Sequence, residues 1–197
     1  MKQMVRRRLL FNFDDRHATL DQLWHSICVA VVEGESSIDY MVRRSLMRPR
    51  YLLRLINYCV GNAVNFGRDR IDEDDIILGL GAYSTDIITE VDLEIRDVLG
   101  GKDDVLYALL GEARVMKRSQ LFDLLQGSGA DSARAQQIFS LLLWHGVVGI
   151  KRQDGEASYI YDLNYDLRRL NGLLEKASSG DPALEINPAF WPGLEMI

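Results

Sequence analysis

The chain has 197 residues, 47% of them hydrophobic and 26% charged, which is enough apolar material for one large or two small packed cores. No apolar run reaches the roughly 18 to 20 residues of a membrane span. The basic start MKQMVRRRLLFNFDD has too short an apolar stretch for a secretory signal, so the expectation is a soluble, cytoplasmic protein with no membrane partner. Cys28 and Cys59 lie in apolar helical patterns without a CxxC and read as reduced core thiols; His17, His25 and His145 are scattered, which gives no metal-ligand spacing.

The net charge of -6 is unevenly spread. Residues 1–70 carry 12 basic and 7 acidic side chains, and the remainder 11 basic and 22 acidic. Either the first third faces something anionic, such as a phosphate, a nucleic acid or an acidic surface, or the two parts neutralise each other across an internal interface.

Leu20, Leu23, Trp24, Ile27 and Val31 recur at helical spacing, and Gly34 is expected to stop that helix. Ser36 and Ser37 offer caps for a short helix through Ile38, Met41, Val42 and Leu46, with Arg43 and Arg44 on its exposed face. In SLMRPRYLLRLINY, Pro49 suits a first helical position because its missing N–H would be unpaired there, and it pushes Arg48 towards an extended conformation. The following stripe of Leu52, Leu55, Ile56, Cys59, Val60 and Ala63 predicts a long buried face. RIDEDDIILGLGAY starts another helix, with Asp72 as cap and Ile71 able to staple onto Ile76. A further helix is expected from about Ser84 to Leu99, ending at Gly100-Gly101, so that residues 18–99 form a helical bundle with short connections.

After Gly101 the pattern changes. Helical DDVLYALLG, extended ARVM, helical KRSQLFDLLQ, a GSGA turn and helical DSARAQQIFSLLLWH precede two strands, VVGIKR and ASYIYDL, around the hairpin signal Asp154-Gly155. That order is expected of a winged helix-turn-helix. The fold class is therefore mainly α: a helical lid-type bundle over 1–101, a winged helix-turn-helix with a small β-hairpin over 102–176, and a C-terminal tail over 177–197. SSGDP reads there as a linker and the aromatic EINPAFWPGLEMI as a segment that docks on the body.

The sequence lacks GxSxG, HExxH and dinucleotide motifs. Its one Gly-Lys, Gly101-Lys102, has Arg96 where a P-loop needs its first Gly and Asp103 where it needs Ser or Thr. No enzyme activity of the chain by itself is expected. The carboxylates of DEDD are better explained as cap and dipole partners than as a metal cluster. Arginines in a first helical turn, by contrast, cost about 0.3 to 1 kcal/mol against the helix dipole. An anion held by backbone N–H groups and two guanidinium forks would offset that cost, as would pairing with the acids of 72–75, or solvation.

RPRYLLRLINYCVGNAVNFGRDRIDEDDIILGLGAYSTDII resembles the lid region of AAA+ and STAND-type P-loop ATPases, especially a bacterial family related to the replication-initiator and KAP branches. In that family an Arg-Pro-Arg opens a lid helix, an I-x-E-x-D-I helix and an A-Y-S segment follow, and a winged helix closes the chain. Trp24, SIDYMVRRSL and the terminal INPAF are similar too, so the resemblance covers nearly the whole chain. It implies that Arg50 is the sensor-2 arginine reaching a nucleotide's terminal phosphates, that Pro49 is the GxP proline, and that Arg48 is a second contact. The nucleotide-binding core with its P-loop is not among these residues; the resemblance implies a core in cis upstream or on another chain, with ATP and magnesium expected only there.

The runner-up is a small DNA-binding regulator with a helical dimerisation or effector domain, which also makes a homo-oligomer a candidate assembly. Residues 102–176 hold 10 basic and 10 acidic side chains, without the basic excess usual in DNA-binding modules. Candidate DNA contacts are Arg134 and Gln137, beside Ser132 and Gln136 on the presumed recognition helix, flanked by Lys117, Arg118, Lys151 and Arg152.

Overall fold

Residues 1–12, 17–100, 104–176 and 180–197 are described in a computed structural model. Gly101, expected to end a helix, and Ser178-Ser179 of the expected linker lie outside the described residues. The described residues are mainly α, 59% of them helical, with small antiparallel sheets. It packs as two units, residues 1–83 and 84–197, and the boundary falls inside one continuous helix.

In the first unit, α1 (Lys2–Leu9) is a helix the sequence pattern did not bring out, because only Val5 is buried; Arg6 Nε donates to the Ala18 carbonyl at 3.0 Å. α2 (Leu20–Ile27) starts on a capping box in which the Thr19 hydroxyl accepts from the Gln22 N–H and the Gln22 side chain accepts from the Thr19 N–H. It ends at Ile27 rather than running to Gly34. The Val29 N–H donates to the Ile71 carbonyl at 2.9 Å, and Val31-Val32 form β1, paired with β2 (Glu35–Ser36). Glu33 and Gly34, at φ 49° and 80°, turn that hairpin. Two β-branched valines beside a Gly turn prefer this to a helix end.

α3 (Ser37–Arg43) follows, and Leu46 and Met47 then both adopt left-handed backbone, at φ 50° and 52°. That reversal lets α4 (Pro49–Asn65) begin with Pro49 at its first position and Arg48 extended at φ -97°, ψ 119°, as the proline predicts. Tyr51, Leu52, Leu55, Cys59 and Ala63 make its buried face; Val60, expected there, is 41% exposed. The expected break before Ser84 does not occur. α5 runs unbroken over Glu73–Leu99; its Gly79 serves contact rather than termination, since a Cβ there would lie 3.0 Å from the Cys59 N and Sγ.

The second unit holds the C-terminal part of α5, then a single 3-10 turn at Leu106–Leu109 where a helix was expected, and then β3 (Val115–Lys117), α6 (Arg118–Gly127) and α7 (Ser132–Trp144). β4 (Val148–Lys151) and β5 (Ala157–Ser158) flank the Asp154-Gly155 turn. The second strand is shorter than ASYIYDL suggests. Residues Ile160–Leu163 coil into a 3-10 turn, with Asn164 and Tyr165 left-handed, before α8 (Leu167–Lys176).

β6 (Ala183–Ile186) is the element that organises this unit. It lies between β3 and β4, antiparallel to both, so the sheet order is β3-β6-β4-β5. Leu184 and Ile186 are fully buried. Beyond them, Asn187 donates to the Gly146 carbonyl at 3.1 Å and to the Tyr161 hydroxyl at 2.9 Å, while its own N–H donates to the Val147 carbonyl. Replacing Leu184 by Ala removes side-chain volume at the sheet's centre and is expected to cost about 3 kcal/mol in denaturant unfolding. A cost of less than about 1 kcal/mol would contradict the central role given to β6.

Candidate functional site

The start of α4 gathers cations around one aromatic ring. Tyr51, fully buried, stands at the third helical position. The guanidinium carbons of Arg48, Arg50 and Arg54 lie 5.1, 5.7 and 5.6 Å from its ring centroid. Positions three before, one before and three after Tyr51 on the chain thus converge on the same ring. Arg48 Nη1 also donates to the Tyr51 hydroxyl at 3.0 Å. Tyr51 is in turn held edge-on by Tyr83, ring centroids 6.4 Å apart, and the Tyr83 hydroxyl donates to the Arg44 carbonyl at 2.8 Å. This fixes the turn that carries Arg48 relative to the helix that carries Arg50. Pro49 and Arg50 are exposed and Arg48 is half-buried.

No acidic residue stands in the first turn of α4. Three of the four acids of 72–75 are engaged elsewhere. Asp72 and Asp75 hold Arg68, at 2.9 and 2.6 Å, and Glu73 accepts the Glu33 N–H at 2.9 Å. The N-terminal end of this 17-residue helix carries arginines over an aromatic ring, and guanidinium groups are donors of the kind that bind phosphate or carboxylate.

Arg44, expected on an exposed face, is instead buried, and Arg43 beside it is exposed and paired with Glu35. The Arg44 guanidinium lies 3.3 Å over the Tyr40 ring, and its Nη1 donates to the Tyr40 carbonyl. Its Nε has no partner among the described residues, and burial pushes its pKa down. The short α3 turns this residue inward because Tyr40 and Met41 fill the core at the same level.

DEDD acts as a cap. The Asp75 N–H donates to Asp72 and the Asp72 N–H donates to Asp75, both at 3.0 Å. Among the described residues no group of three His, Cys, Asp or Glu is placed to hold a metal ion. Burial pushes the thiols of Cys28 and Cys59 up to about 11 and about 12, so neither is a nucleophile at neutral pH.

Most of the candidate DNA contacts have partners within the protein, and Lys117, Lys151 and Arg152 lie around one groove. Arg134 Nη1 donates to the Leu99 carbonyl at 2.7 Å, capping the end of α5. Arg118 donates to Gln136 and lies over Phe122 and Phe139. Lys151 is held by Glu185 at 2.5 Å and by the Gly155 carbonyl at 2.6 Å, and Arg152 pairs with Asp154 at 3.0 Å. Lys117, Ser132, Gln136 and Gln137 are exposed. Sequence reasoning missed Tyr51, Arg54 and Tyr83. The helical spacing of Arg50 and Arg54 was a usable signal for the first two, whereas the Tyr83 contact depends on the fold.

Residues 1–92 match the family of FunZ-associated C-terminal helical domains. The whole cluster around Tyr51 lies within this stretch, which is similar to a C-terminal domain of a larger protein. No curated protein and no solved structure matches the chain. Among the described residues no helix is long and apolar enough to cross a membrane.

The cap yields a pH prediction. The Asp75 N–H and the Arg68 charge hold Asp72 below its ordinary value of 3.8. A depressed folded-state pKa contributes stability that is present above the ordinary value and lost as the pH falls through and below it. Asp72→Asn keeps an accepting oxygen but removes the titration, so it should flatten the acid limb of stability against pH in denaturant unfolding. An unchanged acid limb would contradict this.

Proposed function

We propose that the chain is the regulatory lid and winged-helix part of a P-loop ATPase, sensing nucleotide held by a core that is not among these residues. In this reading Arg50 reaches the terminal phosphates from the start of α4. Arg48 is a second contact, Pro49 sets the helix start, and ATP and magnesium belong to the core. The observation that carries the reading is the convergence of Arg48, Arg50 and Arg54 on buried Tyr51 at a helix N-terminus without an acid in its first turn. The match to a C-terminal helical domain associated with FunZ supports its first half, a helical module that works with another part of a larger protein.

The second half of the reading takes residues 104–176 with β6 as a winged helix that relays the nucleotide state by clamping another domain. The order α6, turn, α7, β4, β5 supports the winged helix. The internal engagement of Arg118, Arg134, Lys151 and Arg152 favours a clamp over a duplex reader. α5, which belongs to both packing units, is the natural relay.

The purified chain should hydrolyse no ATP above background. With a core-bearing partner present, Arg50→Ala should weaken the nucleotide dependence of the assembly about tenfold or more while leaving the helical circular dichroism unchanged, since a charge-assisted bond to phosphate is lost and no buried group is exposed. Turnover that follows the purified chain and disappears in Arg50→Ala would overturn the proposal, as would unchanged nucleotide dependence with the partner.

A further inference from the structure

The second unit carries a groove of about 590 Å³ whose lining is at odds with the acidity around it. Residues 71–197 hold 11 basic side chains against 22 acidic, yet four of the 11 line this one groove: Lys117, Lys151, Arg152 and Lys176. They come from the end of β3, the end of β4 with its turn, and the end of α8. Two acids also line it, and both are occupied. Asp154 pairs with Arg152, and Asp181 accepts the Ser119 N–H and hydroxyl, both at 2.9 Å, which caps α6. Lys151 is neutralised by Glu185. Lys117 and Lys176 are exposed, and the Lys117 charge also acts on the Asp181 carboxylate, helping the Ser119 hydrogen bonds to hold it below its ordinary value. Ile150, Leu173, Pro182 and Ala183 add an apolar lining.

We propose that this groove binds a small phosphomonoester with a compact apolar body, of nucleoside monophosphate size. Two ammonium groups match a dianion, lysine being a point-charge binder of phosphate, and the aliphatic side chains receive the body. The volume lies within the range of small-ligand sites. A duplex is disfavoured because no residue of α7, the helix a winged helix lays in the major groove, lines the groove. The site is separate from the cluster at Tyr51 and does not depend on how that cluster is used.

The test is a residue-resolved NMR titration of the full chain with AMP, and separately with adenosine, inorganic phosphate and a short DNA duplex. AMP should shift the amides of Lys117, Arg152, Leu173, Lys176 and Ala183 together. Adenosine and phosphate alone should each bind about tenfold or more weakly, because each keeps only one of the two contacts. Lys117→Gln with Lys176→Gln should weaken AMP binding about tenfold or more at an unchanged unfolding temperature, both side chains being exposed. No shift at millimolar AMP would overturn the proposal. So would shifts that gather on residues 50–52 instead, unaltered AMP affinity in the double variant, or a duplex that saturates the groove at lower concentration than AMP.

Discussion

The first unit is organised around one buried ring. Tyr51 sits at the start of α4 with no exposed surface, is braced edge-on by Tyr83, and has three guanidinium groups within 6 Å. A tyrosine there does two things that an aliphatic residue could not. Its π face tolerates cations that the helix dipole disfavours, and its hydroxyl takes a hydrogen bond from Arg48. The arginines are thereby kept at a helix end that would otherwise repel them. Pro49 supplies the matching constraint on the backbone, because the left-handed pair Leu46-Met47 reverses the chain and the proline then commits it to helix.

Much of this was legible in the sequence, for local reasons. Pro49 as the first helical residue, Arg48 as extended, and Asp72 as a cap follow from rules that act within four residues. The hairpin at Asp154-Gly155 is of the same kind. What stayed hidden depends on partners distant in sequence. Arg44 looks like a surface residue until the packing of Tyr40 places a ring under it. Ser84 looks like a new helix start, yet it lies inside α5, its hydroxyl accepting the Gly193 N–H at 3.0 Å. Val31 continues a helical spacing by coincidence, whereas the pairing of Cys28 and Val29 with Ile71 ends α2 early.

The second unit shows the same limit at larger scale. From sequence, the segment around ALEI is the start of an aromatic tail, since four residues after a linker carry little strand signal. In the fold it is the strand that joins β3 to the β4-β5 hairpin, with Asn187 tying its end to Gly146 and Tyr161. Gly149 is required opposite it in the sheet for a related reason: a Cβ there would stand 2.7 Å from the Tyr159 ring, whose hydroxyl reaches Glu185 on β6. The partners of the candidate DNA contacts were hidden on the same ground. Arg134 and Lys151, which look available in the sequence, serve as a helix cap and an ion pair once α5 and β6 are in place.

The central claim is that the arginines at the start of α4 meet a phosphate supplied by a partner. Its most direct measurement is guanidinium NMR of the full chain, with Arg50 Nε followed as a core-bearing partner is added empty and then loaded with a non-hydrolysable triphosphate. The account predicts that the Arg50 signal shifts and its exchange with water slows only when the triphosphate is present. An Arg50 signal that responds equally to the empty and loaded partner, or to neither, would contradict it.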